Sequence, residues 1–330
     1  MIQNLVTPIG LQKIKENIVK DKFFKVINAL LLPSIGILLF LAFWAGTATS
    51  INTSLGAFPG PKQVWTQAWV LVDEHQAQRQ KAAAFYERQE TRNAERVKAD
   101  QTYQAKIRDF TGAPTFFEQM WTSLYTVSLG FLIASVIAIP IGIMCGLSKS
   151  AYAAVNPLIQ LFKPISPLAW LPLVTMVVSS VYVSDDPMFS KSFITSAVTV
   201  SLCCLWPTLI NTAVGVSSID SDLVNVSKVL RLNAVNHIVK IVLPSSIPMI
   251  FTGLRLSLGI GWMVLIAAEM LAQNPGLGKF VWDEFQNGSS QSLARIMVAV
   301  LAIGIIGFGL DRLMLAIQQS VSWDKSVTLR

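Results

Sequence analysis

Long apolar runs separated by short polar segments constrain this chain more than any other feature. Each run has about 20 or more mostly apolar residues, enough to cross a hydrocarbon layer of roughly 30 Å as an α-helix. Of the 330 residues, 52% are hydrophobic and only 14% are charged, which is too apolar for an ordinary soluble domain. We therefore predict an all-α, polytopic membrane protein with about six transmembrane helices, at residues 26–47, 120–147, 151–183, 193–216, 247–271 and 294–318.

The first and third of these runs have special features. The first is too long and lies too far into the sequence for a cleaved signal peptide, so we expect it to remain as an anchor. The third is rich in proline, which removes helical hydrogen-bond donors, and we expect that span to be kinked or broken. Its prolines are Pro157, Pro164, Pro167 and Pro172.

Lysine and arginine residues indicate the orientation, because short cytoplasmic loops carry an excess of them. Five lysines precede the first span, Lys228, Arg231 and Lys240 lie between the fourth and fifth, and further basic residues follow the last. Both termini and the 217–244 loop are therefore predicted to be cytoplasmic. This topology accounts for much of the net charge of +7, so no nucleic-acid partner is needed to explain it.

The residues before the first span form a predicted domain element of their own, at 1–25. Leu11, Ile14 and Ile18 recur at helical spacing with lysines on the other faces, which is typical of a helix lying in the headgroup layer. A regulatory helix is the alternative. Residues 26–330 are predicted to form a single transmembrane domain.

A polar insertion separates the first two spans, at residues 48–118. Its 73–109 part mixes charges of both signs and favours helix, while its apolar stripe is weak, with only Phe85, Tyr86 and Val97 as candidates. Such a helix is a solvated spacer or half of a packed hairpin. By topology it is extracytoplasmic. It either contacts a substrate-binding protein or is a solvated insertion held in shape by local charge pairs.

The sequence has none of the motifs of an ATPase or of a common hydrolase. It lacks the GxxxxGK[ST] loop that holds nucleotide phosphates, and it lacks HExxH and GxSxG. Cys145, Cys203 and Cys204 lie in apolar runs without metal-ligand spacing and are interpreted as small buried side chains. His75 and His237 fall on opposite sides of the predicted membrane. We therefore expect no enzymatic activity, no catalytic residue and no metal site.

Four ordered segments carry a family resemblance. They are KPISPLAWLPL (163–173), WPTLINTAVGVSSI (206–219), VLRLNAVNHIVKIVLPSSIP (229–248) and TGLRLSLGIGWMVLIAAEML (252–271). With them the chain resembles the permease subunit of bacterial ABC importers for nitrate, sulfonate, taurine and bicarbonate, most closely the nitrate and bicarbonate branch. The resemblance implies a type I ABC importer permease fold.

The resemblance implies that the 217–244 loop is a coupling loop that binds the ATPase subunits. Leu243–Pro244 fits the family pattern, whereas Arg231 occupies the position of a glycine. Because arginine avoids positive φ, we expect the short helix at about 220–230 to end differently, near Asn233, and a new helix to begin at Pro244. The candidate coupling residues are Asp220, Val224, Asn225, Ser227, Val229, Leu230, Arg231, Leu243 and Pro244.

Ionisable groups inside spans are costly and are therefore candidates for a translocation pathway. Lys163, Arg255 and Glu269 qualify. Arg255 and Glu269 lie roughly 21 Å apart along one helix and cannot pair with each other. Each either pairs with another span, lies near a membrane face or contacts a passing anion directly, and Lys163 and Arg255 could lower the electrostatic barrier for that anion.

Small residues in the fifth span, Gly253, Gly259, Gly261, Ala267 and Ala268, permit close helix approach. They predict either an interface between two subunits or packing within one.

The function implied by the resemblance is ATP-driven import of a small anion across the bacterial inner membrane by alternating access. Nitrate is the first choice of cargo, with bicarbonate, cyanate and taurine or other sulfonates as alternatives. The implied partners are ATPase subunits, which hold the ATP and magnesium, a periplasmic binding protein and a second permease copy. No cofactor is expected on this chain. The rival from another class is an autonomous ion-coupled carrier or channel, which often shows inverted repeats or charges midway across its spans.

Overall fold

A computed structural model describes residues 31–48, 50–53, 56–100, 102–183 and 188–321. The predicted N-terminal amphipathic segment, 1–25, lies outside the described residues. The chain divides into two compact units, residues 1–66 and 67–330.

The first unit contains helix α1 and a small hairpin. α1 covers Leu31–Ala48. Strands β1 (Asn52–Thr53) and β2 (Gly56–Ala57) pair antiparallel, with Asn52 opposite Ala57. Trp44 Nε1 donates a hydrogen bond of 3.1 Å to the carbonyl oxygen of Pro59, which ties the end of α1 to the loop after the hairpin.

The remaining elements are helical. They are α2 (Pro61–Ala99), α3 (Phe116–Leu147), α4 (Lys149–Phe162), α5 (Pro167–Val181), α6 (Lys191–Ser217), α7 (Ser221–Val229), α8 (Ala234–His237), a π-helical turn (Ile238–Val242), α9 (Leu243–Ala272), α10 (Leu277–Asn287) and α11 (Ser292–Val321).

The predicted spans are confirmed. Within the described residues, five helical stretches are long and apolar enough to cross a membrane: α1, α3, α6, α11 and the continuous stretch Ala234–Ala272. The sixth span is the pair α4 and α5, bent by 100° at the break after Phe162. This is the proline-rich span that was predicted to be broken. We call residues 163–166 the elbow.

α6 lies at the centre of the second unit, held by glycines of both neighbours. A Cβ on Gly130 of α3 would come within 2.6 Å of the Ala197 carbonyl oxygen, and one on Gly146 within 2.8 Å of the Ala213 carbonyl oxygen. On the other side, Gly253 and Gly261 of α9 make similar close approaches to α6. The small residues of the fifth span therefore serve packing within the chain at these two positions, whereas Gly259 faces open space.

The order of these contacts fixes the helix directions. Residue numbers rise together along α3 and α6, so these helices are parallel, while they run opposite along α6 and α9. Since α3 and α6 are parallel, the bent pair between them must complete one crossing. α11 is antiparallel to α9, because Trp262 contacts Ile303 and Gln318 contacts Pro248. The 217–243 loop and the end of α11 thus share one end of the bundle, the loop end. The starts of α3, α6 and α11 lie at the opposite end, the arm end.

The charged insertion is a helix followed by an extended return segment. We call residues 76–112 the arm. The helix α2 ends at Ala99, and the chain then runs back along it. Gln89 of α2 bonds both the amide and the carbonyl of Arg108, at 2.6 and 2.9 Å, and Asn93 Nδ2 donates to the Lys106 carbonyl at 3.0 Å. At the turn, hydrogen bonds from the hydroxyl and amide of Thr102 hold the pKa of the Asp100 carboxyl below its usual value.

Local charge pairs do not hold the arm in shape, and that part of the expectation is wrong. Among the described residues, no ion pair joins two side chains of the arm. Polar side chains that bond the return segment replace the missing apolar stripe. Tyr86, Gln89 and Asn93 bond its backbone groups, and Arg96 donates to the Tyr103 hydroxyl, so these residues recur at helical spacing along α2. The arm is therefore a packed hairpin.

Ion pairs fix the base of the arm to the bundle instead. Arg295, near the start of α11, bonds both carboxylate oxygens of Glu74 at 2.7 and 3.0 Å and Glu284 of α10 at 2.5 Å. His75 Nδ1 lies 2.8 Å from the hydroxyl of Thr115, which caps α3. The arm thus continues rigidly from three helices of the arm end.

Candidate functional site

The predicted coupling helix is α7. Asp220 caps its N-terminus by accepting a hydrogen bond of 2.9 Å from the Asp222 amide. At its C-terminus the Arg231 amide donates to the Lys228 carbonyl at 3.0 Å, and the Leu232 amide donates to the Ser227 carbonyl at 3.1 Å. This pair of bonds is the Schellman motif, which needs a left-handed residue at the position of Arg231.

Arg231 adopts that conformation, with φ of 50°. The expectation that arginine would shift the helix end to Asn233 is therefore wrong. The left-handed conformation costs a non-glycine residue roughly 1–2 kcal/mol, and the two capping bonds offset this cost. Asn233 has a different role, because its side chain accepts from the Asn236 amide at 2.8 Å and caps α8.

α9 begins at Leu243 with Pro244 in its first turn, as predicted, although no break separates it from the preceding helical residues. The helical stretch continues from α8 through the π-helical turn into α9, and the Leu243 amide bonds the Ile238 carbonyl, five residues back. Proline lacks an amide hydrogen and crowds the carbonyl four residues before it. The wider π-helical turn immediately before Pro244 accommodates both effects.

Apolar side chains of the loop are exposed at the loop end. Val229 is 81% and Leu230 is 63% exposed. Val224 is half-buried, whereas Leu223 and Val226, which were not predicted, are exposed on the same helix. Asp220, Asn225, Arg231 and Pro244 are also exposed, and Leu243 is half-buried.

Ser227 has a structural role in the loop. It is buried, and its hydroxyl lies 2.7 Å from Nδ1 of His237. This contact joins α7 to the end of α8, ten residues later. The two halves of the loop are thus bonded to each other, and the loop is continuous with α6 at one end and with α9 at the other.

The three predicted pathway residues do not form a common site. Arg255 of α9 makes a bidentate ion pair with Asp311 of α11, with both hydrogen bonds at 3.0 Å. Pairing with another span was one of the predicted alternatives, and the geometry matches it. Asp311 was missed, although a lone aspartate within the last apolar run was a visible signal.

Glu269 is fully buried at the end of α9. Ser123 of α3 donates to its carboxylate at 2.8 Å, and the Gly278 amide donates to Oε2 at 3.0 Å. The same serine accepts from the Leu277 amide at 2.8 Å. Added Cβ atoms on Gly276 or Gly278 would come within 2.1 Å of Glu269 Oε1 or of the Ile266 carbonyl oxygen. Glu269 therefore joins α3 to the turn between α9 and α10.

Lys163 lies at the elbow and lines a cavity of about 190 Å³. Phe162 and Trp170 flank the elbow, and α6 contributes Cys203 and Trp206 near the middle of its length. Among the described residues, Lys163 has no ion-pair or side-chain hydrogen-bond partner. Trp170 and Trp206 were not predicted as site residues, because α6 and the elbow come together only in the folded chain.

All three cysteines are free. Cys145 and Cys204 are buried, as predicted, whereas Cys203 is only half-buried.

Comparison with known proteins identifies the family. The binding-protein-dependent transport system inner membrane component family matches residues 138–323, more than half of the chain. The chain belongs to this family. Its members are the membrane permease components of ABC importers, and the chain has the all-helical, multi-span fold expected of one.

Relatives and a solved structure agree with this assignment. The nitrate import permease protein NrtB of Synechococcus elongatus is 36% identical over 204 residues, covering 62% of this chain and 69% of that protein. The bicarbonate transport system permease protein CmpB of the same species is 32% identical over 299 residues, covering 90% and 91%. The inward-facing MetNI methionine ABC transporter shares the fold, with a TM-score of 0.53 at 13% identity over 63% of this chain and 96% of that chain.

Proposed function

We propose that this chain is the transmembrane subunit of an ATP-driven importer that carries nitrate. The names of its relatives support a small oxyanion, since one imports nitrate and another transports bicarbonate. Bicarbonate is the main alternative cargo, and cyanate, taurine and other sulfonates are further ones.

The observation that carries the proposal is the exposed apolar face of α7. Leu223, Val226 and Leu230 follow one another at spacings of three and four residues, so they share a helix face. Exposed apolar residues grouped on a polar loop are typical of a protein contact. The Schellman cap and the Ser227–His237 contact hold this face rigid, as a contact that transmits force requires.

Movement of α7 would be transmitted to α6 and α9 together. α7 follows α6 after the three residues 218–220, and the loop continues without a helical break from α8 into α9. Close glycine packing also couples α6 to α9 and α3. ATP binding and hydrolysis in the partner would thus rock a packed core and alternate access to the pathway, with no covalent chemistry in this chain.

In the proposed assembly each end of the bundle has its own partner. ATPase subunits holding ATP and magnesium bind the loop end, which is cytoplasmic together with both termini. A periplasmic binding protein delivers the anion at the arm end, and a second copy of the chain completes the pathway. The arm either contacts that binding protein or is a spacer, and its attachment to α3, α10 and α11 through Glu74, His75 and Arg295 supports contact.

Uptake of labelled nitrate tests the proposal. Vesicles would contain this chain with its partner ATPase and binding protein, and uptake would be measured with and without ATP. We expect ATP-dependent uptake that unlabelled nitrate competes and that taurine and bicarbonate do not. Uptake of a different anion would show that nitrate is not the cargo, and uptake without the ATPase would favour an autonomous carrier.

A further inference from the structure

The cavity at the elbow lies at a depth where a carrier holds its cargo. Cys203 and Trp206 are near the middle of α6, and Ile260 lines the same cavity from the central part of α9. Non-helical backbone at membrane depth is tolerated only where it is buried in protein or lines a cavity. The elbow at residues 163–166 satisfies this condition by lining the cavity. Broken spans of this kind form ion and substrate sites in other transporters.

Charge distinguishes this cavity from the rest of the core. Arg255 is neutralised by Asp311, whereas Lys163 has no anionic partner among the described residues. A lone ammonium group inside a span is costly unless an opposite charge joins it. Lys163 is exposed where it lines the cavity, so its positive charge is available to an anion, and most of the other lining side chains are apolar.

Two indole groups add neutral hydrogen-bond donors. Trp170 and Trp206 both line the cavity, and neither indole N–H has an acceptor among the described residues. Aromatic packing holds both rings in place, because the Phe162 ring lies 5.7 Å from that of Trp170 and stacks at 6.0 Å and 9° on that of Trp206. These donors supplement the three of the Lys163 ammonium group.

The side chains lining the cavity donate hydrogen bonds but do not accept them strongly. Lys163, Trp170, Trp206 and the weak donor Cys203 are its polar members, and no carboxylate, amide or hydroxyl side chain lines it. Bicarbonate carries an O–H group that needs an acceptor, while nitrate has no proton to donate. None of the side chains that line the cavity would accept that proton, so we expect this lining to favour nitrate over bicarbonate.

We propose that this cavity is a binding site for a flat, monovalent oxyanion without a hydroxyl hydrogen, held by the Lys163 ammonium and the indole N–H groups of Trp170 and Trp206. At about 190 Å³ it has room for such an ion with a few waters, each of which takes roughly 30 Å³. The inference rests on the proposed importer function and adds to it a selectivity within the membrane for nitrate over bicarbonate.

The test measures the nitrate dependence of uptake in vesicles holding the whole complex. Lys163→Gln removes the charge, Lys163→Arg keeps it, and Trp206→Phe and Trp170→Phe remove one donor each while keeping a ring. Lys149→Gln, at the other end of α4, and Trp282→Phe, on α10, are matched controls outside the cavity. Co-purification of the ATPase and its hydrolysis rate establish that each variant assembles.

We expect Lys163→Gln to reduce the transport efficiency for nitrate about tenfold or more, in line with the strength of hydrogen bonds to charged groups. The Trp→Phe variants should reduce it severalfold, and Lys163→Arg and both controls should leave it near wild type. The cavity variants should also narrow the preference for nitrate over bicarbonate.

If wild type takes up nitrate and the Lys163→Gln and Trp206→Phe variants do so with unchanged efficiency, the proposed site is refuted while the importer function is not. If Lys163→Gln does not assemble, Trp206→Phe decides alone. No oxyanion uptake by wild type would refute the importer function itself.

Discussion

Arg255 and Asp311 form a bidentate ion pair between α9 and α11, with hydrogen bonds of 3.0 Å on each side of the fork. This pair neutralises the charge of Arg255, which the sequence, like that of Lys163, made a candidate for the translocation pathway. Arg255 therefore serves helix packing in this structure, whereas Lys163 has no ion-pair partner among the described residues.

Breaking this pair should affect stability more than selectivity. Arg255→Met leaves Asp311 without its partner and should destabilise the complex by roughly 1–3 kcal/mol, since the pair is partly exposed. Replacing both residues, Arg255→Met with Asp311→Leu, should recover most of that loss. The measurement is the thermal unfolding midpoint of the purified complex, with nitrate uptake of the double variant alongside. Loss of uptake in a stable double variant would return Arg255 to the pathway.

Glycine substitutions test the turn around Glu269. Gly278→Ala would place a methyl group within 2.1 Å of the Ile266 carbonyl oxygen, a backbone atom, so we expect a loss above about 3 kcal/mol or failure to assemble. Gly259→Ala is the matched control on α9, where nothing lies within 4 Å and alanine favours helix by up to about 1 kcal/mol. Equal unfolding midpoints for the two variants would contradict the packing. Disrupted assembly in Gly259→Ala alone would place that position at a subunit interface, the alternative that the sequence left open.

The coupling loop carries a strain that substitution should relieve. Arg231 holds a φ of 50°, so Arg231→Gly should stabilise the complex by about 1 kcal/mol. Arg231→Ala removes the same side chain and keeps the strain, so it should be no more stable than wild type. Comparing the two unfolding midpoints separates backbone from side-chain effects. A stabilising alanine with a neutral glycine would refute the Schellman cap.

The arm should loosen when its helix loses the bonds to the return segment. Gln89→Ala with Asn93→Ala removes three side-chain-to-backbone hydrogen bonds, and residues 103–111 should then exchange amide hydrogens and be cleaved by protease severalfold faster. Glu90→Ala is the control, because Glu90 is exposed and has no ion-pair partner among the described residues. Unchanged protection would show that another interaction holds the segment. Weaker binding of the periplasmic protein would support the docking role of the arm.

The sequence alone was sufficient to predict the structural features that depend on local sequence pattern. Apolar runs predicted the spans, the prolines around Lys163 predicted a broken one, and the polar loop with Asp220 predicted α7. It was insufficient where the outcome depended on which helices become neighbours. The partners of Arg255 and Glu269 lie 56 and 146 residues away, on α11 and α3.

Local rules also failed where hydrogen bonds overrode a residue's own preference. Arginine rarely adopts positive φ, yet the two capping bonds keep Arg231 there. In the sequence, the polar side chains from Tyr86 to Arg96 resemble a solvated helix face. They instead bond the return segment, which the sequence pattern predicted to be helical, so the pattern could not identify their partners.

Coupling through the loop is tested by nitrate uptake per ATP hydrolysed when the exposed apolar residues at the C-terminal end of α7 are replaced. Val229→Asp with Leu230→Asp places charges on residues that are 81% and 63% exposed, so folding of the chain should survive. We predict that uptake falls to background and that the binding protein no longer stimulates ATP hydrolysis, while Val97→Asp, an exposed valine on the arm, leaves ATP hydrolysis and its stimulation unchanged. Undiminished nitrate uptake by the α7 variant would contradict coupling through this loop.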